Sequence, residues 1–261
     1  MNIVVCVKQV IDPEAPSSVF RLDEATKKGK NIDDSPPVLD PYGEFALEGA
    51  LRLKADKGGK VTVISIGGEF DQNAMKKSLA IGADELILVE DNSLADLDAY
   101  GTVYGLVQAI KKVGEYDLIL TGREASDTNG GLTGSGIAET LGLPCVTLVK
   151  QIDIDGSQAK VQRVITDGYE AVTVPLPAVM TISNEIGEVR FPNMKGIMAA
   201  KKMRPTVYAP GDIGMDAVPQ KSKMVRIFQE ISEAHCEFIK GASPEELAAN
   251  LAEKLHEAKL F

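Results

Sequence analysis

Apolar runs and amphipathic stretches take turns along the first 145 residues. Residues 2–8 (NIVVCVK) are β-branched with little polar alternation, the pattern of a strand buried on both faces. Asp40-Pro41 then opens an amphipathic stretch through Glu44, Ala46, Leu47, Ala50, Leu51 and Lys54. Asp40 is placed to cap a helix there, with Pro41 at its first position. Gly58-Gly59 ends it. Residues 60–66 (KVTVISI) read as a second strand, closed by Gly67-Gly68; a helix over 71–80 and a strand over 85–90 follow, with Gly82 between them. Val103, Leu106, Val107 and Ile110 form one helical stripe, and residues 116–121 (YDLILT) a fourth strand. A helix over 133–141 is stopped by Gly142 and Pro144. Repeated strand–helix–strand units of this length predict a parallel sheet covered on both faces. Ligands of such sheets sit outside the carboxyl ends of the strands. Here those ends are residues 8–10, 66–68 and 121–128, so three loops are expected to converge on one crevice.

From residue 146 the period changes. Four short extended runs, 146–155, 159–166, 169–174 and 178–183, carry Asp155-Gly156 and Asp167-Gly168 between them. Asp-Gly between such runs signals hairpins, which predicts an antiparallel extension on the edge of the main sheet. Residues 184–219 are rich in Pro, Gly and basic side chains and read as an irregular arm. Ser243-Pro244-Glu245-Glu246 has the form of a capping box, with Ser243 as N-cap, Pro244 at N1 and Glu246 at N3. Leu247, Leu251 and Leu255 give the helix it opens one apolar edge. With Leu260 and Phe261 that edge is expected to be an interface, since exposed apolar surface is otherwise a liability.

At 261 residues the chain is long enough for one large α/β domain with a substantial core. A net charge of −10 argues against nucleic acid as a partner, because neutralising phosphates needs a cationic footprint. The one basic cluster, Lys195, Lys201, Lys202 and Arg204, reads as a solvated flank or as a surface that steers an acidic partner. No stretch approaches the ~20 apolar residues that cross a bilayer, and the opening run is short and interrupted by Lys8, unlike a signal peptide. Cys6, Cys145 and Cys236 are scattered and odd in number, with no CxxC pair, so a reducing cytoplasm is the expected home. With His235 and His256 as the only histidines, no metal site and no Ser–His chemistry is expected.

The most informative stretch is residues 117–144, DLILTGREASDTNGGLTGSGIAETLGLP. A strand ends at Thr121-Gly122, a loop of small polar residues follows, and a helix begins near Thr133. Small residues let backbone N–H groups approach an anion, and the helix directs its positive end at it. The alternative is an ordinary strand-to-helix connection with glycines serving turns. Glycines at 130, 131, 134 and 136 exceed what turns need, since glycine weakens a helix start. The loop is neither a Walker A sequence nor a clean G-x-G-x-x-G fingerprint.

In order and spacing, the opening NIVVCVKQVID, the helix LDPYGEFALEGALRLK, VTVISIGG, KKSLAIGADELILV, the loop above and VRFPNMKGIMAAKKM resemble the β-subunit family of electron transfer flavoproteins. The resemblance implies a Rossmann-like adenine-nucleotide-binding α/β domain over 1–183 with the antiparallel extension. It also implies a partner-recognition loop within 184–219 and a C-terminal arm and helix, 220–261, contacting a larger α subunit. It assigns nucleotide binding, normally of AMP, to Cys6, to Asp40, Pro41, Tyr42 and Gly43, to Ile66, and to Gly122, Arg123, Glu124, Ala125, Ser126, Asp127, Thr128, Asn129, Gly130, Gly131, Leu132 and Thr133. Asp40 stands where the family usually has Asn, and Pro13 replaces an aromatic found near the flavin in some members. Tyr42 matches a position bordering the α subunit's FAD, and equally suits a core aromatic beside Phe45. Arg123 and Glu124 are expected to pair on the surface.

The same resemblance makes Met194, in residues 191–200, the side chain that docks into redox partners such as acyl-CoA dehydrogenases; a flexible thioether suits that task, and packing under its own loop is the alternative. The function implied is an electron carrier with no catalytic residue of its own, its FAD held mainly by the α subunit. Members that bifurcate electrons from NADH place a second FAD where others hold AMP, and the pocket residues fit both. A nucleotide hydrolase or adenylating enzyme on this fold would need a pyrophosphate-gripping motif, and no SGGxDS-type loop is present. A nucleotide sensor of the stress type would leave the extension and the basic arm without a purpose.

Overall fold

The structure is a computed structural model that describes residues 1–215, 217, 219–229 and 236–260. His235 and Phe261 therefore lie outside the described residues. In chain order the elements are β1 (Asn2–Cys6), β2 (Gln9–Val10), β3 (Phe20–Asp23), β4 (Lys28–Asn31), β5 (Val38–Leu39), α1 (Pro41–Lys57), β6 (Lys60–Gly67), α2 (Gln72–Ile81), β7 (Glu85–Glu90), α3 (Ala99–Val113), β8 (Leu118–Gly122) and α4 (Thr133–Leu141). There follow β9 (Cys145–Asp155), β10 (Gln158–Ile165), β11 (Gly168–Pro175), β12 (Ala178–Ile182), α5 (Met194–Lys202), β13 (Thr206–Tyr208) and α6 (Pro244–Glu257). They form two compact units, Met1–Ile227 and Phe228–Phe261.

The first unit is built on a nine-stranded sheet in the order β11-β10-β9-β12-β8-β1-β6-β7-β13. From β12 to β13 every neighbouring pair is parallel, and β9 joins β12 in parallel while pairing antiparallel with β10. The strands read as apolar runs because both faces are covered. Ile3, Val5 and Val7 belong to a core shared with α1, α2 and α5, whereas Val4 and Cys6 belong to one shared with α3 and α4. The fold is thus the expected α/β architecture, a largely parallel sheet with antiparallel strands added on one edge.

Two expectations are corrected. The run 178–183 is not part of the antiparallel extension: β12 lies inside the parallel sheet between β8 and β9, and all five of its residues are buried. Nor is 184–219 irregular throughout. Asn193 caps α5 through the Gly196 N–H at 2.8 Å, and β13 adds a parallel strand beside β7. The hairpin signals hold: Gly156 at φ 61° turns β9 into β10, and β10 and β11 meet at Ile165 and Gly168. Residues 9–39, unassigned by pattern, hold the small pairs β2–β5 and β3–β4.

In the second unit Ser243 caps α6 by accepting from the Glu246 N–H at 3.2 Å. The Glu246 carboxylate reaches the Ala242 N–H at 2.8 Å, one residue before the cap itself. None of the described residues of α6 is buried, and Leu247 and Leu251 are exposed.

Candidate functional site

Register places the expected crevice at one end of three adjacent strands. Cys6 is opposite Thr121 on β8 and Ile64 on β6, so Cys6, Ile66 and Gly122 share the carboxyl edge. Burial pushes the Cys6 thiol up to about 12, which leaves it a neutral wall residue. Gly122 is required by packing: a Cβ there would lie 2.7 Å from the Tyr42 carbonyl carbon. The end of β8 thereby lies directly against the first turn of α1.

Asp40 joins these two elements. It is 2% exposed, and both of its oxygens are fully used. Oδ2 accepts from the Tyr42 and Gly43 N–H groups at 3.1 and 3.2 Å, capping α1. Oδ1 accepts from the Ser126 N–H at 2.9 Å and the Ser126 hydroxyl at 2.6 Å. The carboxylate is therefore a tie between α1 and the loop of residues 122–133. The other acids of the loop are also compensated. Asp127 pairs with Lys8, between β1 and β2, at 2.6 Å, and Glu124 pairs with Arg123 at 2.8 Å, as expected of those two. The Arg123 guanidinium lies 5.1 Å from the centroid of the Tyr42 ring. Tyr42 also meets Phe45, centroid to centroid at 6.5 Å, so it serves the α1 surface and the loop at once.

Beyond Ser126 the loop turns on itself. The Thr128 and Asn129 N–H groups donate to the Ala125 carbonyl, and Asn129 and Gly131 have φ of 47° and 62°. Residues 127–132 are exposed, Leu132 included. Helix α4 starts immediately after them with no side-chain cap, whereas α1, α2, α3, α5 and α6 are capped by Asp40, Asp71, Asp98, Asn193 and Ser243. An uncapped N-terminus presents unmet N–H groups and the positive end of the helix dipole. With no uncompensated carboxylate in the loop, the residues present fit a phosphate-bearing group.

The four loop glycines divide by role. Gly130 has open space around it, and Gly131 needs its left-handed backbone. A Cβ on Gly134 would come within 2.5 Å of Thr181, and one on Gly136 within 2.8 Å of Val103, so these two let α4 pack closely on β12 and α3. Half of the apparent excess of glycine is packing. Lys8 was missed as a site residue by the sequence reading, although a lone lysine closing an apolar strand at the ligand edge is a usable signal.

Met194 stands at the start of α5. It is 74% exposed, Phe191 just before it 91%, and Met198 one turn later 52%. Packing under its own loop is thereby excluded. Among the described residues no group of three or more His, Cys, Asp or Glu side chains is placed to hold a metal ion. No helix among them is long and apolar enough to cross a membrane.

A largely parallel sheet with helices on both faces, and a small-residue loop feeding an uncapped helix at its carboxyl edge, defines a protein of the Rossmann-like α/β class. Residues 31–212 match the family model described as the electron transfer flavoprotein domain. The chain is 37% identical to the electron transfer flavoprotein subunit beta of Thermoanaerobacterium thermosaccharolyticum, over 83% of this chain and 81% of that one. It is 31% identical to the Bacillus subtilis subunit of the same name, over 87% and 86%. It is 34% identical to the caffeyl-CoA reductase-Etf complex subunit CarD of Acetobacterium woodii, over the full length of both. The chain belongs to the electron transfer flavoprotein beta-subunit family, and its role is in electron transport by a flavoprotein.

Proposed function

We propose that this chain is the β subunit of a heterodimeric electron transfer flavoprotein that shuttles electrons between acyl-CoA dehydrogenase-type enzymes and an acceptor. FAD, held mainly by an α subunit, would supply the one- and two-electron chemistry. This chain contributes a nucleotide-filled scaffold and a docking surface. The observation that carries the reading is the uncapped start of α4 behind a loop whose carboxylates are all compensated. AMP is the expected occupant, its phosphate held by N–H groups of residues 130–134 at the positive end of α4. Asp40 and Ser126 hold the loop in place, and Cys6 and Ile66 line the apolar wall. Met194 would enter a pocket on the dehydrogenase, with Lys195, Lys201, Lys202 and Arg204 favouring an acidic rim around it. The apolar edge of α6 would be covered by the α subunit.

A second reading is favoured by the full-length match to a subunit of a caffeyl-CoA reductase-Etf complex. In it a second FAD takes the place of AMP and the heterodimer oxidises NADH. Extracting nucleotides from the purified heterodimer tests both. One FAD and one AMP per dimer support the carrier; two FAD support the bifurcating complex. A heterodimer that retains neither AMP nor a second FAD would overturn the assignment of the crevice.

A further inference from the structure

Helix α1 carries two sets of ties. At its N-terminus Asp40 holds the nucleotide loop through Ser126. Eight residues on, about 12 Å along the axis at 1.5 Å per residue, Glu48 is buried, its side chain 4% exposed. A lone carboxylate so placed would be costly, and it is satisfied entirely by arginines and one backbone N–H. Arg52, one turn below, donates Nε to Glu48 Oε1 at 2.7 Å. Arg190 grips the same carboxylate in bidentate fashion, Nε to Oε2 at 2.8 Å and Nη2 to Oε1 at 3.1 Å, while its own N–H reaches Oε2 at 3.2 Å. Arg52 also donates from Nη1 and Nη2 to the carbonyls of Ile186 and Glu188, at 2.6 and 2.9 Å. Ile186 fills a notch in α1 so closely that a Cβ on Gly49 would lie 2.8 Å from its Cδ1.

These bonds end at Arg190, and the next residue is the 91% exposed Phe191. Beyond it α5 lies on α2 at a second close contact, where a Cβ on Gly196 would meet the Ala80 carbonyl oxygen at 2.1 Å. Lys77 of α2 is in turn paired with Glu44 of α1. The segment leading to the exposed Met194 is thus tied directly to the helix that holds the nucleotide loop, and α5 is tied to it through α2.

We propose that Glu48, Arg52 and Arg190 form a positioning clamp that fixes to α1 the segment entering the docking helix α5, so that α1 is the rigid spacer between partner docking and the nucleotide crevice. The inference rests on the docking reading of Met194. None of the three residues needs to touch the partner or the flavin; they act through the backbone of residues 186–190. An Arg190→Lys change keeps the charge but loses the planar fork that makes the bidentate grip.

The test uses the complete heterodimer, reduced by a short-chain acyl-CoA dehydrogenase with its acyl-CoA, and separately reoxidised by a small dye that needs no docking. In Arg190→Lys the KM for the dehydrogenase is expected to rise about five- to tenfold, within the range that changes in a packed network produce. Maximal rate, dye reoxidation, flavin content and subunit association stay as in the wild type. Arg52→Lys, which loses the geometry of the two carbonyl bonds, is expected to move KM in the same direction. Met194→Glu serves as the control for docking. If Met194→Glu raises KM and neither arginine variant does, docking stands and the clamp is refuted. If none of the three raises KM, the docking reading itself fails. Loss of flavin or of the α subunit in Arg190→Lys also overturns the proposal, because a clamp local to the docking helix leaves the nucleotide end of α1 intact.

Discussion

Asp40→Ala is the sharpest test of how the crevice is built. The substitution removes four accepted hydrogen bonds, two that cap α1 and two from Ser126, at a position only 2% exposed. Losing the cap costs about 1 kcal/mol. The two bonds to Ser126 run to a charged acceptor and leave a partly buried N–H without a partner, which costs about 2 kcal/mol more. The sum of about 3 kcal/mol corresponds to a fall in Tm of about 6–12 °C for a domain of this size. Differential scanning calorimetry of the variant with its partner subunit measures it, and nucleotide extraction follows the same sample. Asp40→Asn keeps one acceptor oxygen, so either the cap or the Ser126 N–H is lost but not both, and about half the effect is expected. A fall of less than about 2 °C in Asp40→Ala, with the nucleotide retained, would show that Asp40 does not tie the loop to α1.

Other expectations follow from the same geometry. Gly134→Ala overpacks α4 against the buried Thr181 and should cost about 1–3 kcal/mol in a thermal melt, whereas Gly130→Ala, with open space around it, should leave Tm unchanged. Cys145 and Cys236 are exposed and Cys6 is buried with its thiol raised to about 12, so a thiol reagent at pH 8 should label the first two in the native chain and Cys6 only after unfolding. The Asp98 carboxyl is lowered from 3.8 to about 2, first by the Gly101 N–H and then by those of Lys221 and Ser222. A lowered carboxyl contributes stability that is present above its ordinary value and lost as pH falls through the folded one. The NMR amide signals of Lys221 and Ser222 should accordingly titrate near pH 2; a midpoint near 4 would contradict the bonds.

The strands and helices of the parallel half were legible because each carried its own punctuation. Pro41, Gly58, Gly82 and Gly142 fall at the boundaries of α1, α2 and α4. The convergence of Cys6, Ile66 and Gly122 followed from chain order alone, since parallel strands place all their carboxyl ends together. What pattern reading missed was pairing at a distance. The strand β12 follows the three antiparallel strands β9, β10 and β11 and reads as one of their group, although AVMTI lacks the alternation that β10 shows. That difference marks a strand covered on both faces. Helix α5 was hidden by the prolines and lysines around it, and β13, at three residues, is too short for any period to show. The split among the glycines was not legible either, because it depends on which side chains of α3 and β12 face α4.

The place of β12 in the sheet bears on how the chain must be made. Until residues 178–182 leave the ribosome, β8 has β1 on one side and nothing on the other. Its sequence, LILTG, is the kind of apolar edge that recruits stray strands. About 60 residues separate the end of β8 from the end of β12, so at ordinary synthesis rates that edge stays open for ~3–12 s. The three strands β9, β10 and β11 are made during the same interval, before the strand that separates β9 from β8. Newly made chains are thus most vulnerable to mispairing between the completion of β8 and the completion of β12.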